Sequence, residues 1–138
     1  MTKTIHILII DLDAETLKTC EKRLSLRKQT TVTTCCNGKA MTEFGACSPD
    51  IVLTELLMPD RDGIELLLEI KRASPRTKVI AMSGGGSCLP TEFALHMARR
   101  LGADSTVSKP VDASRLLEAI EEVLSAQEDD HREGGADA

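Results

Sequence analysis

The stretch Ile5-His6-Ile7-Leu8-Ile9-Ile10-Asp11 decides how this chain folds. It is short, almost unbroken in branched aliphatic side chains, and stops abruptly on an acid. A strand with one wet face alternates apolar and polar residues, so a continuous run points to a strand covered on both faces, as in parallel sheets. Working outward, similar segments recur. Thr30–Cys36 is β-branched, Ile51–Thr54 and Lys78–Met82 are apolar, and Ser105–Ser108 is a short fifth strand. Between them the spacing changes to helical. Asp13 stands as N-cap before Ala14–Arg27, where Leu17, Cys20 and Leu24 share a face, and Asn37 precedes Ala40, Met41 and Phe44. Ile64–Ala73 is closed by Ser74-Pro75, Pro90–Leu101 is followed by Gly102, and Asp112 caps Ala113–Ser125 with its stripe of Leu116, Ile120, Val123 and Leu124.

Five strand-then-helix units predict an α/β fold, a (βα)5 three-layer sandwich with a parallel sheet covered on both faces. Such sheets work at the carboxyl ends of their strands. The residues there are Asp11 to Asp13, Glu55, Ser83 and Lys109, and apart from Leu12 they are polar where the strands are not. The loop after the third strand, Leu56–Asp62, opens with Asp60-x-Asp62-Gly63 like a calcium loop but lacks the downstream Glu at the required offset. Ser83-Gly84-Gly85-Gly86-Ser87 is not a P-loop, having no GxxxxGK[ST] pattern, and reads as a strand-to-helix loop. His96, near Arg99 and Arg100, reads as a surface residue.

The 138 residues carry 17 Lys plus Arg against 22 Asp plus Glu, a formal net charge of -5, which disfavours a nucleic-acid partner. Aromatics for base stacking are missing too: there is no Trp or Tyr, and only two Phe, Phe44 and Phe93. Much of the acidity lies in residues 126–138, where five acids face Arg132 alone. Residues 1–125 are therefore expected to be one nearly neutral domain, and 126–138 a disordered acidic tail. No apolar run approaches the ~20 residues of a membrane span, and the amino-terminal run is too short for a signal peptide, so a cytoplasmic location with no membrane partner is expected. Five cysteines (Cys20, Cys35, Cys36, Cys47 and Cys88) show no CxxC and no zinc spacing. They read as reduced, mostly buried small hydrophobes, with Cys35 and Cys36 on opposite faces of their strand.

At this point the motifs carry a resemblance. Ile7-Leu8-Ile9-Ile10-Asp11, Asp50 through Pro59, Asp62-Gly63, Ser83, Gly102-Ala103-Asp104 and Lys109-Pro110 resemble receiver domains of two-component response regulators, in order and without a large gap from about residue 4 to 125. The resemblance implies a flavodoxin-like fold with strand order 2-1-3-4-5. It also implies an Asp at the end of the third strand that takes a phosphoryl group from a histidine kinase, and Mg²⁺ held by acids after the first strand. A hydroxyl, a lysine and a rotating aromatic on the fifth strand complete the family's site.

Against that pattern Asp11 matches the first acid, Ser83 the hydroxyl and Lys109 the lysine. Glu55 stands at the phosphoacceptor position, Leu12 at a metal-ligand position, and Thr106 at the switch aromatic. Two carboxylates and one ammonium leave the pocket at a formal charge of about -1 rather than -2. Opposite charges about 4 Å apart attract by ~4 kcal/mol at an effective dielectric near 20. A Glu55–Lys109 pair is thus expected to satisfy the pocket with Mg²⁺ weakly bound or absent, since Leu12 offers no hard oxygen. The extra methylene of Glu55 carries its carboxylate about 1.5 Å further toward Ser83 and Lys109. Two readings stand: Glu55 partly mimics a phosphorylated acid, or it merely salt-bridges in an idle site.

The expected function is a stand-alone, non-enzymatic signalling protein of the receiver type. It would act by binding a histidine kinase or other signalling protein, with residues 90–125 as docking or homodimer face. The alternatives are an active phosphoacceptor at Glu55 and a flavodoxin-like binder of a small ligand at Gly84–Gly86.

Overall fold

In the computed structural model, residues 3–36, 39–58, 63–84 and 91–136 are described, with side chains as far as residue 126. Five strands, β1 (Ile5–Ile10), β2 (Thr30–Cys35), β3 (Ile51–Glu55), β4 (Lys78–Ser83) and β5 (Ser105–Ser108), form one parallel sheet in the order β2-β1-β3-β4-β5. Five helices connect and follow them: α1 (Ala14–Ser25), α2 (Ala40–Cys47), α3 (Gly63–Ala73), α4 (Thr91–Arg100) and α5 (Ala113–Ala136). This is the flavodoxin-like arrangement.

Alternation along the central strands builds two cores. Leu8 and Ile10 of β1, Val52 of β3 and Val79 and Ala81 of β4 pack with Phe44 of α2, Leu66, Leu67 and Ile70 of α3, and Ala94, Leu95 and Ala98 of α4. Ile7 and Ile9, Ile51 and Leu53, and Ile80 and Met82 point the other way, onto Cys20 and Leu24 of α1 and Leu116, Ala119, Ile120 and Val123 of α5. The continuous apolar runs thus serve both faces at once. Cys35, the last residue of β2, is buried, and Cys36, just past the strand, is exposed.

Helix ends follow local chemistry. Asp13 caps α1, its Oδ1 accepting from Glu15 N at 3.2 Å and its Oδ2 from Thr16 Oγ1 at 2.7 Å. Gly102, just past α4, adopts φ +120, a left-handed conformation that suits glycine. Helix α2 begins after Lys39, and the expected cap Asn37 lies outside the described residues, as do Asp60, Asp62 and Gly85 to Cys88.

One boundary differs from the sequence reading. Helix α5 does not stop at Ser125 before a disordered tail but continues to Ala136. The segment after Ser125 begins Ala126-Gln127-Glu128, good helix formers, and extending an existing helix avoids the nucleation cost that a free segment would face. Charge alone therefore did not mark the end of regular structure. Among the described residues, no helix is long and apolar enough to cross a membrane.

Candidate functional site

Sheet register assembles the site. Ile10 pairs with Thr54, so Asp11 and Glu55 sit one step further along neighbouring strands. Glu55 pairs with Met82 and Ser83 with Ser108, which places Ser83 and then Lys109 on the far side of Glu55. A bond from Lys109 N to Ser83 O at 3.0 Å ties the β5 exit to the end of β4.

Lys109 is shared by two carboxylates. Its Nζ lies 2.6 Å from Asp11 Oδ2 and 2.7 Å from Glu55 Oε1. Asp11 and Glu55 are only 2% and 7% exposed, so these are desolvated contacts rather than surface pairs. The remaining carboxylate oxygens take backbone donors. Asp11 Oδ1 accepts from Asp13 N at 2.9 Å, and Glu55 Oε2 accepts from Leu56 N at 2.7 Å and Leu57 N at 3.0 Å. Burial pulls the Lys109 ammonium toward neutrality, but hydrogen bonds and charges from Asp11 and Glu55 outweigh it and hold its pKa above the ordinary lysine value. The Asp13 carboxyl is held below its usual value, chiefly by the Thr16 hydroxyl, as a helix cap rather than as part of the cluster.

Around this cluster the other sequence candidates separate. Ser83 Oγ is fully buried and has no hydrogen-bond partner among the described residues, so Glu55 reaches Lys109 but does not bond Ser83. Leu12 is 40% exposed and Leu57 37%, placing apolar side chains at the ends of β1 and β3 where the crevice opens. Thr106 is half-buried on β5. Its Oγ1 accepts from Arg99 Nε at 3.3 Å, and its carbonyl accepts from Arg115 Nη2 at 2.8 Å. His96 is exposed.

Four contributors escaped the sequence reading. Leu56 and Leu57 act through backbone N–H groups, which carry no residue-type signal. Gly84 is legible in hindsight as a glycine directly after Ser83: a Cβ there would meet Lys109 Cβ at 2.8 Å and Cδ at 3.2 Å, so its absence makes room for the lysine stem. Arg115 links α5 to β5, bonding Ser105 Oγ at 3.2 Å and Glu118 and Glu122 at 2.7 and 2.8 Å. Hydrogen bonding to Arg115 is the main reason the Glu122 carboxyl is held below its usual value. No group of three or more His, Cys, Asp or Glu among the described residues is placed to hold a metal ion.

Comparison with known proteins agrees with this architecture. The response regulator receiver domain family matches residues 7–121. The transcriptional regulatory protein GlrR of Escherichia coli (strain K12) is 32% identical over 122 residues, covering 88% of this chain but only 27% of that protein. The chain thus spans about a quarter of the length of that regulator. The chemotaxis protein CheY of Listeria monocytogenes is 36% identical over 86 residues, 62% of this chain and 69% of that one. Among solved structures, a CheY-like receiver domain protein from Methanospirillum hungatei superposes with a TM-score of 0.80 at 27% identity, covering 93% of this chain and 99% of that one. A receiver domain of an HD domain-containing protein from Pseudomonas fluorescens gives 0.83 at 25% identity, covering 96% and 95%. With five parallel strands in the receiver order and a polar cluster at their carboxyl ends, this chain belongs to the response regulator receiver domain family.

Proposed function

We propose that this receiver signals by protein–protein contact from a site whose charge is balanced internally, with phosphoryl transfer impaired. The observation that carries this reading is the Lys109 ammonium held between Asp11 and Glu55. In an ordinary receiver the matching lysine is expected to pair with the phosphoryl group. Here Glu55, at the phosphoacceptor position, already occupies it. Mg²⁺ would need hard oxygen ligands, whereas Leu12 supplies none and both carboxylates are engaged by Lys109 and backbone N–H groups. The residues present do not fit the family's metal.

Thr106 supports the same reading. It stands at the position of the switch aromatic, and the α4–β5–α5 side is fixed instead by Arg99 and Arg115 hydrogen bonds. That face is polar and suits a charged partner surface, such as a histidine kinase or another signalling protein. The four described cysteines, Cys20, Cys35, Cys36 and Cys47, are free, which suits a reducing cytoplasm.

The test is incubation with acetyl phosphate and Mg²⁺, followed by intact-mass measurement and amide NMR, on the wild type and on Leu12→Asp/Glu55→Asp. The wild type is expected to gain no phosphoryl mass and to show no Mg²⁺ shifts at Ser83 and Lys109, while the double variant gains both. A phosphoryl group mapped to Glu55 in the wild type would establish the active phosphoacceptor instead.

A further inference from the structure

Helices α1 and α5 cover the same face of the sheet and run the same way, toward the pole opposite Asp11, Glu55 and Lys109. They end at different levels. Arg27, just past α1, meets Glu121 of α5 at 2.9 Å and Thr30 Oγ1 of β2 at 3.1 Å. From Glu121 helix α5 runs on to Ala136, an overhang of about 22 Å. The overhang contains Glu128-Asp129-Asp130-His131-Arg132-Glu133, four acids against one arginine. Positions 129, 130 and 133 recur at helical spacing and share one side of it.

The outer side of α1 carries the opposite charge. Residues four positions apart are neighbours on a helix, so Lys18, Lys22 and Leu26 form one row. Thr19, Arg23 and Arg27 form the row beside it, on the side where Arg27 reaches α5. Lys18, Lys22, Arg23 and Lys28 are exposed, and among the described residues none of them makes an ion pair. Leu26 stands among them 72% exposed. The acids of α1 lie elsewhere: Glu15 is in the first turn, and Glu21 falls on the flank away from Arg23. A nucleic acid or an anionic membrane approaching these bases would meet the acidic overhang that projects beside them. A second copy meets no such conflict. Turned by a two-fold axis across the helices, it brings its own acids to these bases and its own bases to the first copy's acids.

We propose that the chain forms a homodimer in which the acidic overhang of α5 in each copy lies antiparallel along the basic side of α1 in the other. The segment 128–133 then faces Lys22, Arg23 and Lys28 of the second copy. A two-fold contact makes each set of pairs twice, so every charge change counts double. This goes beyond the signalling reading and does not depend on the state of Glu55.

Sedimentation equilibrium of the full chain tests it on the wild type, on Lys22→Glu/Arg23→Glu, on Asp129→Lys/Asp130→Lys/Glu133→Lys, and on the two variants mixed. The wild type is expected to dimerise at low ionic strength and to lose at least roughly tenfold in association when salt is raised to about 0.5 M. Each variant alone is expected to associate roughly a hundredfold more weakly, because attractive contacts become repulsive in both halves of the dimer. An equimolar mixture should regain association, since each reversed surface then meets an overhang or an α1 of opposite sign. Far-UV circular dichroism verifies that each variant is folded. A wild type that stays monomeric at millimolar concentration overturns the proposal. So does a dimer indifferent to both variants, or a mixture no better than its components. A monomer that instead binds phosphatidylserine vesicles or single-stranded DNA through Lys22 and Arg23 overturns it as well, and would assign α1 to a polyanion.

Discussion

Replacing Lys109 by Met removes the only cation that the described residues bring to this buried cluster and leaves two carboxylates facing one another. At contact distances of 2.6 and 2.7 Å, each ion pair contributes about 6 kcal/mol of attraction at an effective dielectric near 20, before the desolvation that opposes it. Removing one partner of such a buried pair costs about 3–5 kcal/mol net, because the stranded charge remains. That is a large part of the ~5–15 kcal/mol that holds a domain together. With a urea dependence of about 2 kcal/mol per molar, the midpoint should fall by roughly 2 M. Far-UV circular dichroism is the probe, since the chain has no Trp or Tyr to report by fluorescence.

The geometry predicts a reversal of sign in the companion variant. Glu55→Gln alone should destabilise, because an amide cannot both accept from Leu56 and Leu57 N–H on one side and receive the ammonium on the other without one poor contact. In the Lys109→Met background the same change should recover about 1–2 kcal/mol, since the amide oxygen keeps the backbone donors while its NH₂ donates to Asp11. A Lys109→Met loss under about 1 kcal/mol, or two losses that simply add, would refute the shared-lysine account.

Four further outcomes follow. The folded-state pKa of Lys109 is raised, so its stabilising contribution is fully present below the unfolded lysine value of about 10.5 and disappears as pH rises through the higher folded value; urea midpoints in alkaline buffer should fall in the wild type and change less in Lys109→Met. Leu24→Ala, at a fully buried position, should cost about 2–5 kcal/mol by thermal or urea unfolding. Leu26→Ala, two residues on and 72% exposed, should stay within about 0.5 kcal/mol. Gly63→Ala should cost about 1–3 kcal/mol and shift the Leu56 and Leu57 amides, because the new Cβ would lie 2.5 Å from Leu56 O and 2.6 Å from Glu55 O.

How far the sequence spoke depended on the range of the interactions involved. Strands β1, β3 and β4 were legible because a buried parallel strand needs apolar residues on both faces, and polar residues such as Asp11 and Glu55 mark where each run stops. The Asp13 cap was legible because it is local. The Glu55–Lys109 contact was also within reach, since the resemblance placed both residues at the same edge. The share taken by Asp11 was not: it depends on the register of β1 against β3 and on how far Lys109 reaches back across two strands. Arg115 reads as an ordinary surface residue of α5 until the helix is docked on β5. The acidic end of α5 was misjudged for a different reason, composition having outweighed local helix propensity.

The length of α5 also bears on how the protein can be handled. Its 24 residues extend about 36 Å from the Lys109 edge of the sheet, and they run antiparallel to the strands. A surface anchor, dye or fusion partner joined after Ala136 is thus carried on a rod to the pole opposite Asp11, Glu55 and Lys109. Immobilisation through that end presents the crevice outward to soluble partners, whereas attachment through a residue near Leu12 or Leu57 would cover it.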